Sequence, residues 1–261
     1  MQKEKKHWEI FALTHKKFEV PQDKMYQPLQ VGREEKEDLG YLCDNTGDNI
    51  SAENCYYSEL TGLYWIWKNC DDEYKGLVHY RRYFGKNNLS SKISDIYTYN
   101  ELIEMLKNAD VILPYVEHFK ENTKEEILRE CCTSEIFEKM ENIIREKYPE
   151  YIKAFRDYFS QNKTVLFNML FCRKELFDSY CEWLFDVLFA LEKKVDISLL
   201  NSYQKRLYGF LSERLFNVWI KYHNLTVKNV SIINTDMKFG QRLTLVRRRL
   251  TNQIRYNIYN K

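Results

Sequence analysis

Three short apolar runs, each ended by polar or charged residues, punctuate the first half of the chain: "WEIFALT" at 8–14, "YKGLVHY" at 74–80 and "ADVILPY" at 109–115. Continuous apolar runs of this length read as strands buried on both faces. Between them the period changes. Leu60, Leu63, Tyr64 and Trp67 recur at helical spacing from Ser58 onward, and Leu102, Ile103 and Leu106 form the inner stripe of a helix capped by Thr98 or Asn100. Residues 24–42 are fragmentary and hold at most short strands. "CDNTGDNISAENCYYSEL" is dense in turn and helix-start residues. The second half is more helical. Residues 120–147 are highly charged with a sparse apolar stripe, which predicts a surface helix or a pair of them. "TVLFNMLFCRKELF" predicts a strand running into a helix that continues through "DSYCEWLFDVLFALEKK". Residues 199–223 predict another helix, with Leu207, Phe210, Leu211, Leu215 and Val218 on one side, and "LTVKNVSII" predicts a last strand.

Strands alternating with helices imply an α/β fold: one domain, a mostly parallel sheet with helices on both faces, and a helix-rich C-terminal half. The expected division is a first half over 1–118, a helical half over 119–236 and a tail over 237–261. In such sheets ligands bind beyond the C-terminal ends of the strands. That rule gathers His15, Lys16 and Lys17 after the first strand, residues 79–82 after the second, and residues 114–117 after the third.

Composition narrows the function classes. The 261 residues carry a net charge of only +2, so nothing global points to nucleic acid. Eight glycines and four prolines are too few for a disordered or collagen-like chain. The 20 tyrosines suit a cleft for sugars or bases, or simply an aromatic core. Seven cysteines with no C-x-x-C pair, no secretory signal and no apolar run of membrane-spanning length predict reduced thiols in a cytoplasmic protein. Phosphate-loop, dinucleotide, nucleophile-elbow and H-E-x-x-H motifs are absent from the sequence.

The candidate chemistry sits at the strand ends. Arg81 and Arg82 follow an apolar strand, and arginine's planar fork grips phosphate bidentately without losing its charge; a pair bridging acidic helices would look the same in sequence. If the strand continued, His79 and Arg81 would share one face and Tyr80 and Arg82 the other, so both arginines can serve one site only if the chain bends. His79 suits a phosphate or a sugar hydroxyl, or a satisfied core position. Asp44, Asn45, Asp48 and Asn49 lie in a loop expected to enter the crevice, where they could read a ribose or base, or hold a divalent cation, or merely shape turns. Glu59 and Thr61 start a helix, and Glu59 is accounted for by the helix dipole alone. Trp65 falls off the core stripe and could pack on another element or stack a ligand. Glu213 lies away from the leucine stripe with Gly209 one turn before it, an arrangement that would leave room for a substrate beside a general base or simply set a glutamate in solvent. After Asp236 no acidic residue occurs, while Lys238, Arg242, Arg247, Arg248, Arg249, Arg255 and Lys261 alternate with apolar residues. Such a tail suits an anionic membrane surface, a solvated closing helix or a nucleic-acid arm.

Five blocks, "NCYYSELTGLYWIWKN", "YKGLVHYRRYF", "ADVILP", "FNMLFCRKELFDSYCEWLFDVL" and "GFLSERLFNVWI", resemble in this order a bacterial family of capsular and exopolysaccharide glycosyltransferases long catalogued as a domain of unknown function. The resemblance runs from about residue 8 to about residue 219. It implies a GT-A-like Rossmann domain and a UDP-sugar donor, with galactofuranose transfer known for some members. It implies donor contacts from His15, Lys16, Asp44, Asn45, Asn54, Tyr57, Glu59, Thr61, His79 and Tyr80. Asn168 and Trp65 would stand on the acceptor side, and Glu213 would be the base of an inverting transfer. No D-x-D occurs, a departure from the GT-A pattern. Arg81 and Arg82 would then hold the diphosphate in place of a metal, with manganese or magnesium as the alternative. A lipid-linked acceptor and a peripheral place on the inner face of the cell membrane complete the expectation; a noncatalytic nucleotide-sugar or glycan-binding module is the rival. A histidine-bearing segment expected near 125–140 is replaced by one carrying Cys131 and Cys132, which leaves that stretch without an assigned acceptor role.

Overall fold

The computed structural model describes residues 10–259. Trp8, Glu9 and Lys261, which belong to the expected first strand and tail, lie outside the described residues. In chain order the strands are β1 (Ile10–Thr14), β2 (Tyr26–Gln30), β3 (Leu42–Cys43), β4 (Tyr74–His79), β5 (Arg82–Gly85), β6 (Val111–Pro114), β7 (Glu117–His118), β8 (Lys163–Thr164), β9 (Leu170–Arg173) and β10 (Val227–Asn234). The helices are α1 (Asn54–Tyr57), α2 (Leu60–Asn69), α3 (Tyr99–Leu106), α4 (Thr123–Glu130), α5 (Ser134–Lys147), α6 (Ile152–Ser160), α7 (Lys174–Glu192), α8 (Leu207–His223) and α9 (Phe239–Tyr259).

β1 lies between β2 and β4, parallel to both, with Ile10 opposite Tyr26 on one side and Gly76 on the other. β2 continues to β3 in parallel. From β4 onward the sheet is mixed. β9 runs antiparallel between β4 and β6. β10 is parallel to β6 through its first half and antiparallel to β5 through its second. The expected mostly parallel sheet is therefore corrected to a mixed one. The apolar content of "LFC" at 170–172 marks a strand but carries no direction, and the turn after β4 reverses the chain where a single strand would have run on.

Alternation along β1 divides the core. Phe11 and Leu13 face the helical layer that includes α2, α5, α7 and α8, whereas Ile10 and Ala12 face the layer that includes α3. Thr98, one of the two caps the sequence offers, caps α3, its own backbone N–H donating to the Glu101 carboxylate in return. Residues 120–147 form two helices, α4 and α5. α6 was not expected; it buries Ala154, Phe155, Tyr158 and Phe159. Lys75 in β4 is fully buried, and its ammonium donates to Asp178 of α7 at 2.7 Å. The tail forms α9, which packs along the β7–β8 ladder, with Tyr256 4.6 Å from the His118 ring.

At Gly76 a Cβ would run into the Leu170 carbonyl and the Phe171 Cα of β9. Backbone cannot yield as a flexible side chain does. Gly76→Ala is expected to destabilise the protein by about 1–3 kcal/mol. Gly240→Ala, where a Cβ meets nothing within 4 Å in a helix, is expected to leave stability level or higher. Thermal denaturation of both variants checks the contrast.

Candidate functional site

A cleft of about 450 Å³ opens at the C-terminal ends of β1 and β4. It forms there because two adjacent parallel strands end together, leaving their following residues around one opening. Thr14 and His15 come from the end of β1. His79 ends β4, Tyr80 and Arg81 make a two-residue turn, and Arg82 opens β5 directly opposite His79. This turn is the bend that the arginine pair required, and both guanidinium groups line the cleft.

The cleft is rich in cations. Lys36, Arg81, Arg82 and Arg206 line it, against the carboxylates of Glu59 and Glu213. Arg82 lies over the Phe167 ring at 5.0 Å, and burial, followed by the charge of Arg81, lowers its pKa. Arg81 stacks on Tyr80 at 5.4 Å and reaches Asp236 only at 3.9 Å, an exposed pairing of small worth. Burial and then the charges of Lys36, Lys16, Arg81 and Arg206 lower the pKa of His15. An anion entering here would relieve that crowding.

His79 Nε2 lies 2.7 Å from the Phe167 carbonyl. A carbonyl only accepts, so Nε2 carries the proton and Nδ1 is free to accept in the neutral ring. Burial keeps the ring neutral, lowering its pKa despite the nearby Glu59. The Phe167 amide in turn donates to Glu213 Oε1 at 2.7 Å, and Arg214 Nη1 donates to Glu213 Oε2 at 2.6 Å. Burial raises the Glu213 pKa to about 7, with Arg214 opposing the rise and Glu59 adding to it. Glu59 is held by Asn168, whose amide donates to Glu59 Oε1 at 2.9 Å and to the Gly209 carbonyl.

Backbone strain gathers around the same cleft. Ser58, Phe167 and Asn168 have φ of 53°, 81° and 49°. Positive φ is unusual for serine and costly for phenylalanine, and such residues persist where their surroundings over-determine them. Ser58 and Phe167 line the cleft and Asn168 lies directly beneath it.

Of the residues singled out in the sequence, His15, Asn54, Glu59, His79, Tyr80, Arg81, Arg82 and Glu213 line this cleft. The others are placed elsewhere. Asp44 is fully buried and accepts from the Gly32 and Arg33 amides and the Ser51 hydroxyl, so it shapes the loop and does not enter the crevice. Asp48 accepts from the Tyr64 hydroxyl, and Asn45 donates to Glu34 on the surface. Among the described residues no three His, Cys, Asp or Glu side chains cluster as metal ligands would. Tyr57 is a core residue stacked on Tyr208 at 4.6 Å, its hydroxyl on Glu192. Thr61 is buried, its hydroxyl on the Ser58 carbonyl and accepting from Asn54. Trp65 packs edge-on against Phe11 in the core and donates to the Thr46 carbonyl, and it does not line the cleft. Lys16 is half exposed, over the Tyr80 ring and 4.0 Å from Asp236. Gly209 leaves room for Ser58 of the α1–α2 corner, not for a substrate: a Cβ there would meet the Ser58 side chain at 3.3 Å. Lys36, Ser58, Phe167 and Arg206 were missed, since no spacing joins positions so far apart.

The Glu213 environment makes stability depend on pH. Between about 4.5 and about 7 the folded protein holds a proton that the unfolded chain has released, so this contribution to stability is lost as pH rises through that window. The wild-type stability minus that of Glu213→Gln is expected to fall from pH 5 to pH 7 and to level off above it. Urea denaturation at each pH measures this difference.

With this geometry in place, comparison with known proteins becomes informative. Residues 9–224 match the family described as a domain of unknown function, DUF4422. Among solved structures the chain is similar to the apo form of WbbM, a bifunctional glycosyltransferase, with a TM-score of 0.81 and 28% identity, over 88% of this chain and 46% of that one. The chain thus spans about half the length of that protein. No curated protein matches it. The match covers most of the chain, including Arg81, Arg82, Arg206 and Glu213 of the cleft, and the protein belongs to the DUF4422 family.

Proposed function

We propose that the protein is a glycosyltransferase that moves a hexosyl residue, galactofuranose being the candidate, from a UDP-sugar to a lipid-linked glycan in capsular or exopolysaccharide synthesis. The observation that carries this reading is the cleft at the ends of β1 and β4, which four cations line together with Glu213, whose pKa burial raises to about 7. The likeness to a glycosyltransferase supports it. Arg81 and Arg82 hold the donor diphosphate and stabilise its charge as it leaves, a task that preorganised cations perform without a metal. Glu213 takes the proton of the acceptor hydroxyl as the new glycosidic C–O bond forms, and the bond from the anomeric carbon to phosphate breaks with its electron pair leaving on UDP. A base with a pKa near the working pH combines adequate population with adequate strength.

Calorimetric titration with UDP tests the donor assignment. Binding is expected in EDTA without any gain from manganese, and Arg81→Ala and Arg82→Ala should each weaken it about tenfold or more, the usual worth of a charged hydrogen bond. Binding only with manganese would overturn the arginine role. Glu213→Gln is expected to bind UDP but lose transfer; retained transfer would shift the base role to Glu59, which faces the same cleft.

No helix among the described residues is long and apolar enough to cross a membrane. α9 nevertheless exposes Phe239, Leu250, Ile254 and Ile258, with the exposed Arg247, Arg248 and Arg255 beside them. Apolar and cationic groups side by side fit an anionic lipid surface. The protein is expected to sediment with phosphatidylglycerol vesicles, not with phosphatidylcholine ones. Ile254→Glu with Ile258→Glu should abolish that, and high salt should weaken it.

A further inference from the structure

A second cleft, of about 430 Å³, lies on the other side of Arg82 and Phe167. Those two residues line both clefts, so what separates the cavities is one guanidinium stacked on one ring. The far wall of the second cleft is α9, through Leu245, Val246 and Arg249 with the exposed Arg248 at its rim, and its near wall includes Tyr115, Glu117 and Ile232. The lining is mainly apolar, with arginines from α9 on one side and Arg82 at the boundary with the first cleft.

Two polar atoms of this cleft are buried with no protein partner, Arg249 Nε and Asn88 Oδ1. Buried polar groups are almost always paired, so these two mark the cleft wall as incompletely satisfied. Arg249 lies over the Tyr115 ring, which holds it at the cleft before anything binds. A smaller recess of about 120 Å³ shares Asn88, Val246 and Arg249 with the cleft and reaches Leu250. Leu250 belongs to the exposed apolar stripe of α9, so apolar surface runs from the cleft interior to the outside of the helix.

We propose that this second cleft binds the acceptor, and that the acceptor it fits is an anionic amphiphile, a glycan joined through phosphate to a lipid chain. The proposal rests on the glycosyltransferase reading, because Arg82 would otherwise not mark a reacting bond. A transferase must bring its second substrate to the donor's anomeric carbon, and the second cleft meets the first at the residue assigned to the donor diphosphate. Sugar faces stack on aromatic rings, and the half-buried Phe119 of the lining offers one. Phosphate suits Arg248 and Arg249, and the lipid leaves past Val246 and Leu250.

The test uses the full chain saturated with UDP, so that the first cleft is filled, and farnesyl diphosphate as the probe. Calorimetry should show the probe binding to the wild type, with at least tenfold weaker binding to Leu245→Trp, which fills the cleft, and to Arg248→Ala. UDP affinity should stay within twofold in both variants. Farnesol and inorganic diphosphate, each alone, should bind at least tenfold more weakly than the probe; full binding of either would overturn the amphiphile assignment. Absence of probe binding, or binding unchanged in both variants, would overturn the second cleft while leaving the donor reading intact. Failure of the wild type to bind UDP would overturn the donor reading and the proposal with it. If Leu245→Trp loses UDP binding through misfolding, Arg248→Ala, an exposed helix position, decides.

Discussion

Arg214 is almost wholly buried in α8, and its guanidinium donates to Glu213 beside it and to Glu126 and Glu130 of α4 at 2.6–2.8 Å. One cation among three carboxylates cannot neutralise them all. Removing Arg214 from such a cluster would cost about 3–5 kcal/mol, because the buried carboxylates would be left uncompensated. Burial is the main cause that raises the Glu126 and Glu213 pKa values; Arg214 opposes the rise in both, and Glu130, with Glu59 for Glu213, adds to it. The ion cluster that joins α4 to α8 thus holds Glu213 in place and moderates its hold on the proton. The same cluster shapes the cleft floor: Glu213 orients the Phe167 amide, and the Phe167 carbonyl holds His79.

Strain and electrostatics meet in the loop before β9. Phe167 and Asn168 both take positive φ, and together they place a ring under Arg82, a carbonyl on His79 and an amide on Glu59. A relaxed loop could not turn those groups toward one point. The strain is stabilised by hydrogen bonds to α8 and to Glu59, and it marks the segment where the two clefts meet. α9 adds the last wall. Arg242 anchors its first turn, donating to the carbonyls of Leu89 and Met237, which sets the inner face of the helix against β7 and leaves the other face to solvent.

Much of the framework was legible from the chain alone. β1, β4, β6, α2, α3, α7 and β10 follow apolar periodicity and capping, and adjacency of strand ends correctly brought His15, Arg81 and Arg82 to one crevice. The sequence also stated that the arginines could share a site only across a bend, which the Tyr80–Arg81 turn supplies. The misplaced site residues share one source. Asp44, Tyr57, Thr61 and Trp65 carry functional-looking groups in a block near the cleft, yet each finds a structural partner inside the fold.

What the sequence determined by itself was local: which segments are strands or helices, which face of each is apolar, and which charged residues follow a buried strand. Only the tertiary structure decided the direction of β9, the burial of Arg214 among three glutamates, and the convergence of Lys36, Arg206 and Phe167 on residues 79–82. Periodicity records that a face is covered but not which distant segment covers it. Burial, pKa and cleft shape depend on that covering, so they became definite only once α8, α9 and the strained loop had packed onto the sheet.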